Sequence, residues 1–253
     1  MKTKRIIVRL DIKGDNLVKG IQLEGLRKIG NPNERAVNYY LQGADEIFFE
    51  DVVASLYERN SLLKIIDSST KNIFIPITVG GGIRSIEDVQ SALNAGADKI
   101  SINTAAIKKE NLITEVSKKF GRQCMVISIQ AKFRNGRWEA FYENGREPSG
   151  FDVVEWSIKA EKLGAGEIFL TSVDKEGMAK GMDLDLIKAV TENVSIPVIA
   201  SGGVGTLNDI KLAFDNSNVD AVALAHILHY DEVSIGEVKE YCLRNNINVR
   251  EVI

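Results

Sequence analysis

Asp11 is the carboxylate best placed for proton transfer, because it closes the β-rich run Arg5 to Leu10, and a group at a strand end can face a bound ligand. The plainer reading is an Asp that orders the following loop. Val8-Arg9-Leu10-Asp11-Ile12-Lys13 lies over Ile127-Ser128-Ile129-Gln130-Ala131-Lys132 when the two halves of the chain are aligned. Gln130 therefore stands where a second Asp11 would be, able to hydrogen-bond but unable to titrate. Lys19 could neutralise a phosphate or orient Asp11. Asp51 and Asp174 are further strand-end candidates, each equally readable as a solvated loop residue. His229, in an apolar run, reads as structural.

Two glycine-rich turns suit anions. Gly80-Gly81-Gly82 precedes Ser85 and Asp88, which stand at capping-box spacing, so backbone N–H groups and a helix start can face one phosphate. Ser201-Gly202-Gly203 with Thr206 repeats the arrangement. Glycines of this kind also serve tight turns alone, but two equivalent sites favour a ligand with a phosphate at each end. Asn103-Thr104 and Ala225-His226 are expected to complete the two cradles, although imidazole is a bulky neighbour for phosphate.

Arg5, Glu46, Lys99 and Glu167 begin four predicted strands, two of each sign. Asp11 lies an even number of residues beyond Arg5, hence on the same strand face and about 20 Å further along. A ring of such charges could plug one end of a barrel through mutual salt bridges.

These positions require elements that repeat. Gly43-Ala44-Asp45-Glu46-Ile47-Phe48-Phe49 recurs as Gly164-Ala165-Gly166-Glu167-Ile168-Phe169-Leu170, and the same offset carries Gly81-Gly82 onto Gly202-Gly203. Strands are predicted at Arg5 to Leu10, Glu46 to Asp51, Ile75 to Val79, Lys99 to Asn103, Cys124 to Ile129, Glu167 to Thr171, Val198 to Ser201 and Ala221 to Ala225. Helical periodicity falls between them, at Glu34 to Gln42, Arg59 to Ser69, Ile86 to Ala95, Lys108 to Lys119, Asp152 to Leu163, Asp183 to Glu192, Leu207 to Asp215 and Ser234 to Leu243. Eight β/α units imply an α/β fold, a single (β/α)8 TIM barrel over residues 1–253, with half-barrel repeats at approximately 1–122 and 123–253. A doubly wound sheet would need a Gly-x-Gly-x-x-Gly turn after the first strand, which is missing. Lys13 to Pro32 is expected as a mobile lid, and Ala131 to Gly150 as a hairpin turning at Asn135-Gly136.

The 253 residues carry a net charge of -3, with 26% charged and 44% hydrophobic side chains, so no nucleic-acid footprint is expected. Cys124 and Cys242 lack metal-ligand spacing and read as buried thiols in a reducing cytosol. Neither a bilayer-spanning stretch nor a signal-peptide pattern is seen, which predicts a cytoplasmic protein without membrane partners. No metal or cofactor is expected.

Lys4-Arg5-Ile6-Ile7, Val18-Lys19-Gly20, Val79-Gly80-Gly81-Gly82-Ile83, Ser101-Ile102-Asn103-Thr104-Ala105-Ala106, Gly164 to Glu167 and Ala200-Ser201-Gly202-Gly203 resemble the cyclase subunit of imidazole glycerol phosphate synthase, over essentially the whole chain. The resemblance implies a heterodimer in which a glutaminase docks at the barrel bottom, with Asp98 at the contact. Ammonia would pass a gate formed by Arg5, Glu46, Lys99 and Glu167. The implied substrate is an aminoimidazole carboxamide ribonucleotide joined to a ribulose phosphate, converted to imidazole glycerol phosphate and the aminoimidazole carboxamide ribotide. Thr171 and Gly177 join Gly81, Gly82, Asn103, Thr104, Ser201, Gly202, Gly203, Ala225 and His226 as implied substrate contacts, and Asp11, Lys19 and the Gln130 position as the catalytic set.

The chain departs from this family at the other end of the barrel. Gln130 replaces the second catalytic aspartate, Arg9 a small Cys, Glu176 an Asp, Met178 a Thr and His226 a Ser, while Tyr142, Asn144 and Pro148 replace smaller polar residues. These changes keep three alternatives in view. One is similar to the duplicated synthase-like subunits that supply ammonia to sugar amidination in surface-polysaccharide pathways. Another is a non-catalytic scaffold that activates a glutaminase. More distant is a barrel isomerase acting on a phosphoribosyl aminoimidazole compound, which would not need the bottom ring.

Overall fold

The computed structural model describes residues 2–54 and 62–252. Eight parallel strands close on one another: β1 (Arg5–Lys13), β4 (Glu46–Asp51), β5 (Ile77–Gly80), β6 (Lys99–Ile102), β7 (Met125–Arg134), β10 (Glu167–Ser172), β11 (Val198–Ser201) and β12 (Ala221–Leu224). Pairing of β7 with β10 and of β12 with β1 completes the ring, giving the expected (β/α)8 barrel. Helices between the strands cover the outside, because each carries an apolar stripe. In Val153–Leu163, for example, Val153, Trp156 and Ala160 are buried.

Period-two alternation sends every second strand residue into the lumen. Ile7, Phe48, Val126, Phe169, Ile199, Ala221 and Ala223 form an inner apolar layer, separate from the larger core between sheet and helices. The Phe48 and Phe169 rings stack with centroids 4.1 Å apart, across strands that belong to opposite halves of the chain. That contact contributes about 1 kcal/mol beyond the area it buries.

Several boundaries differ from expectation. The strand expected from Ile75 begins at Ile77, and the helix expected over Lys108 to Lys119 is two pieces, Thr104–Lys108 and Asn111–Phe120. The helix ending at Ser69 is seen from Leu62, and its expected start at Arg59 lies outside the described residues.

The largest departure is the segment expected as a mobile lid. It forms an antiparallel ribbon in which β2 (Asn16–Ile21) pairs with β1, and β3 (Glu24–Gly30) pairs with β2. Burial of Leu17, Val18 and Leu23 explains the order, since these side chains give the ribbon one apolar face. Its counterpart after β7 is the expected hairpin, with Asn135 and Gly136 both at positive φ (50° and 79°). β8 (Arg137–Tyr142) and an added third strand, β9 (Glu147–Asp152), extend it into a meander. Among the described residues, no helix is long and apolar enough to cross a membrane, and no cluster of His, Cys, Asp and Glu could hold a metal ion. Cys124 and Cys242 are buried free thiols.

Candidate functional site

At the N-terminal ends of the strands, Arg5, Glu46, Lys99 and Glu167 form a closed ring. Arg5 bonds Glu46 at 3.1 Å and Glu167 at 2.5 Å, and Lys99 bonds each of the same two carboxylates at 2.8 Å. The Thr78 hydroxyl donates to the second oxygen of Glu46. Asp98 lies exposed on this end, with Oδ2 accepting from the Ile77 N–H at 2.8 Å. Asp45 and Asp220 make the same bond to Ile6 and Val198, so an Asp before one strand ties the start of its neighbour three times around the barrel.

At the other end, β1 presents Arg9 and then Asp11 into the lumen. Arg9 is almost fully buried above the Phe169 ring, its Nε donating to Asp11 Oδ1 at 2.7 Å and a terminal nitrogen to the Thr171 hydroxyl at 3.1 Å. Lys19, carried in from β2 by the ribbon, pairs with Glu176 and stands 3.5 Å from the other Asp11 oxygen. Burial disfavours the Asp11 carboxylate, but Arg9 and Lys19 outweigh it, holding its pKa below the usual range. Burial likewise opposes the Arg9 charge, which Asp11, Glu176 and Glu50 sustain, and its pKa is raised. The structure thus brings Asp11, Lys19 and Thr171 together, and adds Arg9 and Glu176. Lys19 serves the carboxylates.

His229 supports this network from behind. One ring nitrogen faces the Arg9 carbonyl at 3.0 Å, an acceptor only, which assigns the ring proton there. The other meets the Tyr39 hydroxyl at 2.8 Å. Burial pushes its pKa down to about 3, so it stays neutral, consistent with a structural residue.

A cavity of about 330 Å³ opens on the first-half side of the mouth, lined by Glu50, Gly81, Gly82, Asn103, Thr104 and Gln130. Gly81 adopts φ +86°, and a side chain there would strike the Asp51 backbone. Ser85 caps the helix Ile86–Asn94 in the reciprocal box with Asp88 that the spacing predicts. Asn103 donates through Nδ2 to the Phe141 carbonyl at 3.1 Å, and the Thr104 hydroxyl accepts from the Glu143 N–H. Three buried oxygens, on Ser101, Asn103 and Gln130, lack a hydrogen-bond partner among the described residues, which is costly unless a ligand or water supplies one. Arg84, Lys108 and Lys109 place positive charge at the rim, with Lys108 paired to Glu143.

The second-half cradle is more enclosed. Ser201, Gly202 and Gly203 are buried, and a side chain on Gly202 would meet the Ser172 carbonyl at 2.7 Å. Gly177 packs against the Gly20 backbone, while Gln22 at the ribbon tip donates its N–H to the Glu176 carbonyl at 2.8 Å, so the ribbon roofs this side. Ala225 precedes the short helix His226–His229, and the His226 ring packs against Tyr230 and lies 3.6 Å from Glu232. Asp174 and Asp51 accept from the Phe133 and Val53 N–H groups respectively, ordering their loops.

Glu50 escaped the sequence reading. Its signal was the even spacing from Glu46, which puts both on the lumen face of β4. Burial raises its pKa to about 7, a change that nearby Asp11 and Asp51 reinforce and Arg9 opposes.

The family model for histidine biosynthesis proteins matches residues 5–234. The imidazole glycerol phosphate synthase subunit HisF of Legionella pneumophila is 59% identical over 212 residues, covering 83% of this chain and all of that protein. The subunit of the same name from Dehalococcoides mccartyi is 46% identical over 250 residues, 99% of each chain.

Proposed function

This chain belongs to the histidine biosynthesis protein family, among the cyclase subunits of imidazole glycerol phosphate synthase, and from that premise we propose how its own residues serve the cyclase reaction. The two-phosphate aminoimidazole substrate spans the mouth. One phosphate takes the Gly81–Gly82 turn with Asn103 and Thr104, and the other takes Gly202–Gly203 with Gly177, Ser201, Ala225 and His226. The observation that carries this reading is the first cavity, where a glycine turn at a capped helix start sits beside buried oxygens of Ser101, Asn103 and Gln130 that have no partner among the described residues.

The reading includes a glutaminase subunit that docks at the ring end, near Asp98, and forms a heterodimer. Ammonia released there enters past Arg5, Glu46, Lys99 and Glu167 and reaches the substrate along the lumen. Asp11 acts as a fixed negative charge, oriented by Arg9 and Lys19, while Gln130 hydrogen-bonds the substrate through Oε1, which has no partner among the described residues. The barrel functions as one unit over 1–253, with half-barrels at about 1–122 and 123–253, each contributing one cradle.

A second reading, a diverged paralogue delivering ammonia for another acceptor, draws support from Arg9 in the lumen and Gln130 at a catalytic position. One assay separates the two: purified protein with the histidine-pathway substrate and high ammonium, beside Gln130→Asp. Wild-type formation of imidazole glycerol phosphate is the expected result. Activity appearing only in the variant would favour the paralogue.

A further inference from the structure

Among the described residues, the Glu50 carboxyl at the mouth stands outside the buried chain of ion pairs. Glu50 is 9% exposed and lines the cavity with Gln130, yet among the described residues no cation stands within ion-pairing distance of it. Arg9, the buried cation that acts on it, donates from Nε to Asp11 and from a terminal nitrogen to Thr171. Across the strand pair, Gly80 faces Glu50, and a Cβ on Gly80 would stand 2.5 Å from Glu50 Oε2. Gly80 is absent from the positive-φ glycines, and a side chain there would have to displace the Glu50 carboxyl from its present position. The charged neighbours are Arg9 and Asp11 on β1 and Asp51 on its own strand, with Arg84, Lys108, Lys109 and Glu143 further round the cavity wall.

We propose that Glu50 is a general acid/base of this cavity, moving the proton that Gln130 cannot carry and that Asp11, a carboxylate ion-paired between Arg9 and Lys19, does not take up. The inference rests on the cyclase reading for its substrate. As ammonia forms a C–N bond to the ketone carbon of the substrate, the C=O π pair moves onto oxygen. The Glu50 carboxylate takes one N–H proton and returns it to that oxygen, leaving a carbinolamine and an unchanged Glu50. The group starts as the carboxylate, so turnover falls as pH drops through its ionisation, close to 7. Neither Asp11 nor the neutral His229 titrates in that window.

The test pairs kinetics with a direct titration. Ammonium-dependent turnover, corrected for free ammonia, is followed from about pH 5.5 to 9 for the wild-type protein and Glu50→Gln. The variant is expected to lose roughly 100-fold in kcat, with KM changed less than about threefold, and to lose the ionisation near neutrality. A variant within about threefold of wild type in kcat, with that ionisation intact, overturns the proposal. In parallel, ¹³C NMR of protein labelled at the glutamate carboxyl carbons follows Glu50 directly, its signal assigned by its loss in Glu50→Gln. A resonance that titrates near neutrality and shifts when imidazole glycerol phosphate is added supports the role; one that titrates in the ordinary carboxylate range, or ignores the ligand, overturns it even if the variant fails to fold. A protein that binds this ligand, shifts the Glu50 signal and gives no turnover loses the cyclase reading while keeping Glu50 as the proton-carrying group.

Discussion

Two sets of four charges, each with two cations and two anions, occupy opposite ends of this barrel and are wired differently. In the bottom ring each cation touches both anions, and the cations reach solvent, with Arg5 and Lys99 side chains 28% and 16% exposed. At the mouth the charges run as a chain from Arg9 to Asp11 to Lys19 to Glu176, and none of the side chains is more than 4% exposed. A closed ring in contact with water can lose one bond and keep the others, so it is suited to opening. A buried chain has no such reserve, and removing a member strands a charge in low dielectric. The difference assigns rearrangement to the bottom and fixed electrostatics to the mouth. On the proposal above, proton transfer falls to Glu50, a carboxyl beside the chain and, among the described residues, outside it.

Breaking the mouth chain is the largest perturbation available. Arg9→Met should destabilise the protein by about 3–5 kcal/mol, read from urea unfolding near neutral pH, because Asp11 is left without its closest partner. A loss below about 1 kcal/mol would mean that the chain is no more constraining than a surface pair.

Glu50 should behave in the opposite sense. Its folded pKa, about 7, lies above the ordinary carboxylate value, so the folded protein holds its proton more tightly than the unfolded chain. Stability from this group is therefore present at low pH and lost as pH rises from the unfolded value through about 7. Glu50→Gln should consequently gain on the order of 2–3 kcal/mol over wild type near pH 8 and almost nothing near pH 4. Equal stability of the two proteins at both pH values would argue that Glu50 is solvated or paired.

His229 sharpens the same contrast from the acid side. Its pKa is depressed to about 3, so its contribution is intact above the unfolded histidine value and is lost as pH falls below it towards 3. Between about pH 6 and 4, wild type should lose up to about 1.4 kcal/mol per pH unit from this group, and His229→Gln should lack that component of the slope. Parallel slopes for the two proteins would remove His229 from the account. The smallest stability effect belongs to the ring. Lys99→Ala should cost about 1–2 kcal/mol, since Arg5 continues to bridge Glu46 and Glu167.

The barrel was legible because strand and helix periodicities alternate eight times, and because the repeated glycine turns mark equivalent strand ends. The ring was legible as four charges at four strand starts. Glu50 was hidden by Asp51, which ends the same strand and drew attention as the more conventional strand-end candidate. Arg9 was visible as an unusual residue, but only the tertiary structure revealed that it stacks above Phe169 and holds Asp11. The ribbon over β2 and β3 was missed for a local reason: Gly20 and Lys19 interrupt the alternation of Leu17, Val18 and Leu23, and the order comes from packing on the mouth. That packing also roofs one cradle and leaves the other open, an asymmetry that the near-identical glycine motifs could not convey.

The division of labour between the two ends is tested most directly by the ratio of glutamine-dependent to ammonium-dependent turnover, measured with the glutaminase subunit present, for wild type, Lys99→Ala and Glu50→Gln. Lys99→Ala should lower that ratio by roughly tenfold or more while changing ammonium-dependent turnover little, and Glu50→Gln should lower both activities together and leave the ratio unchanged. A ratio that stays constant in Lys99→Ala, or that falls equally in both variants, would contradict the account.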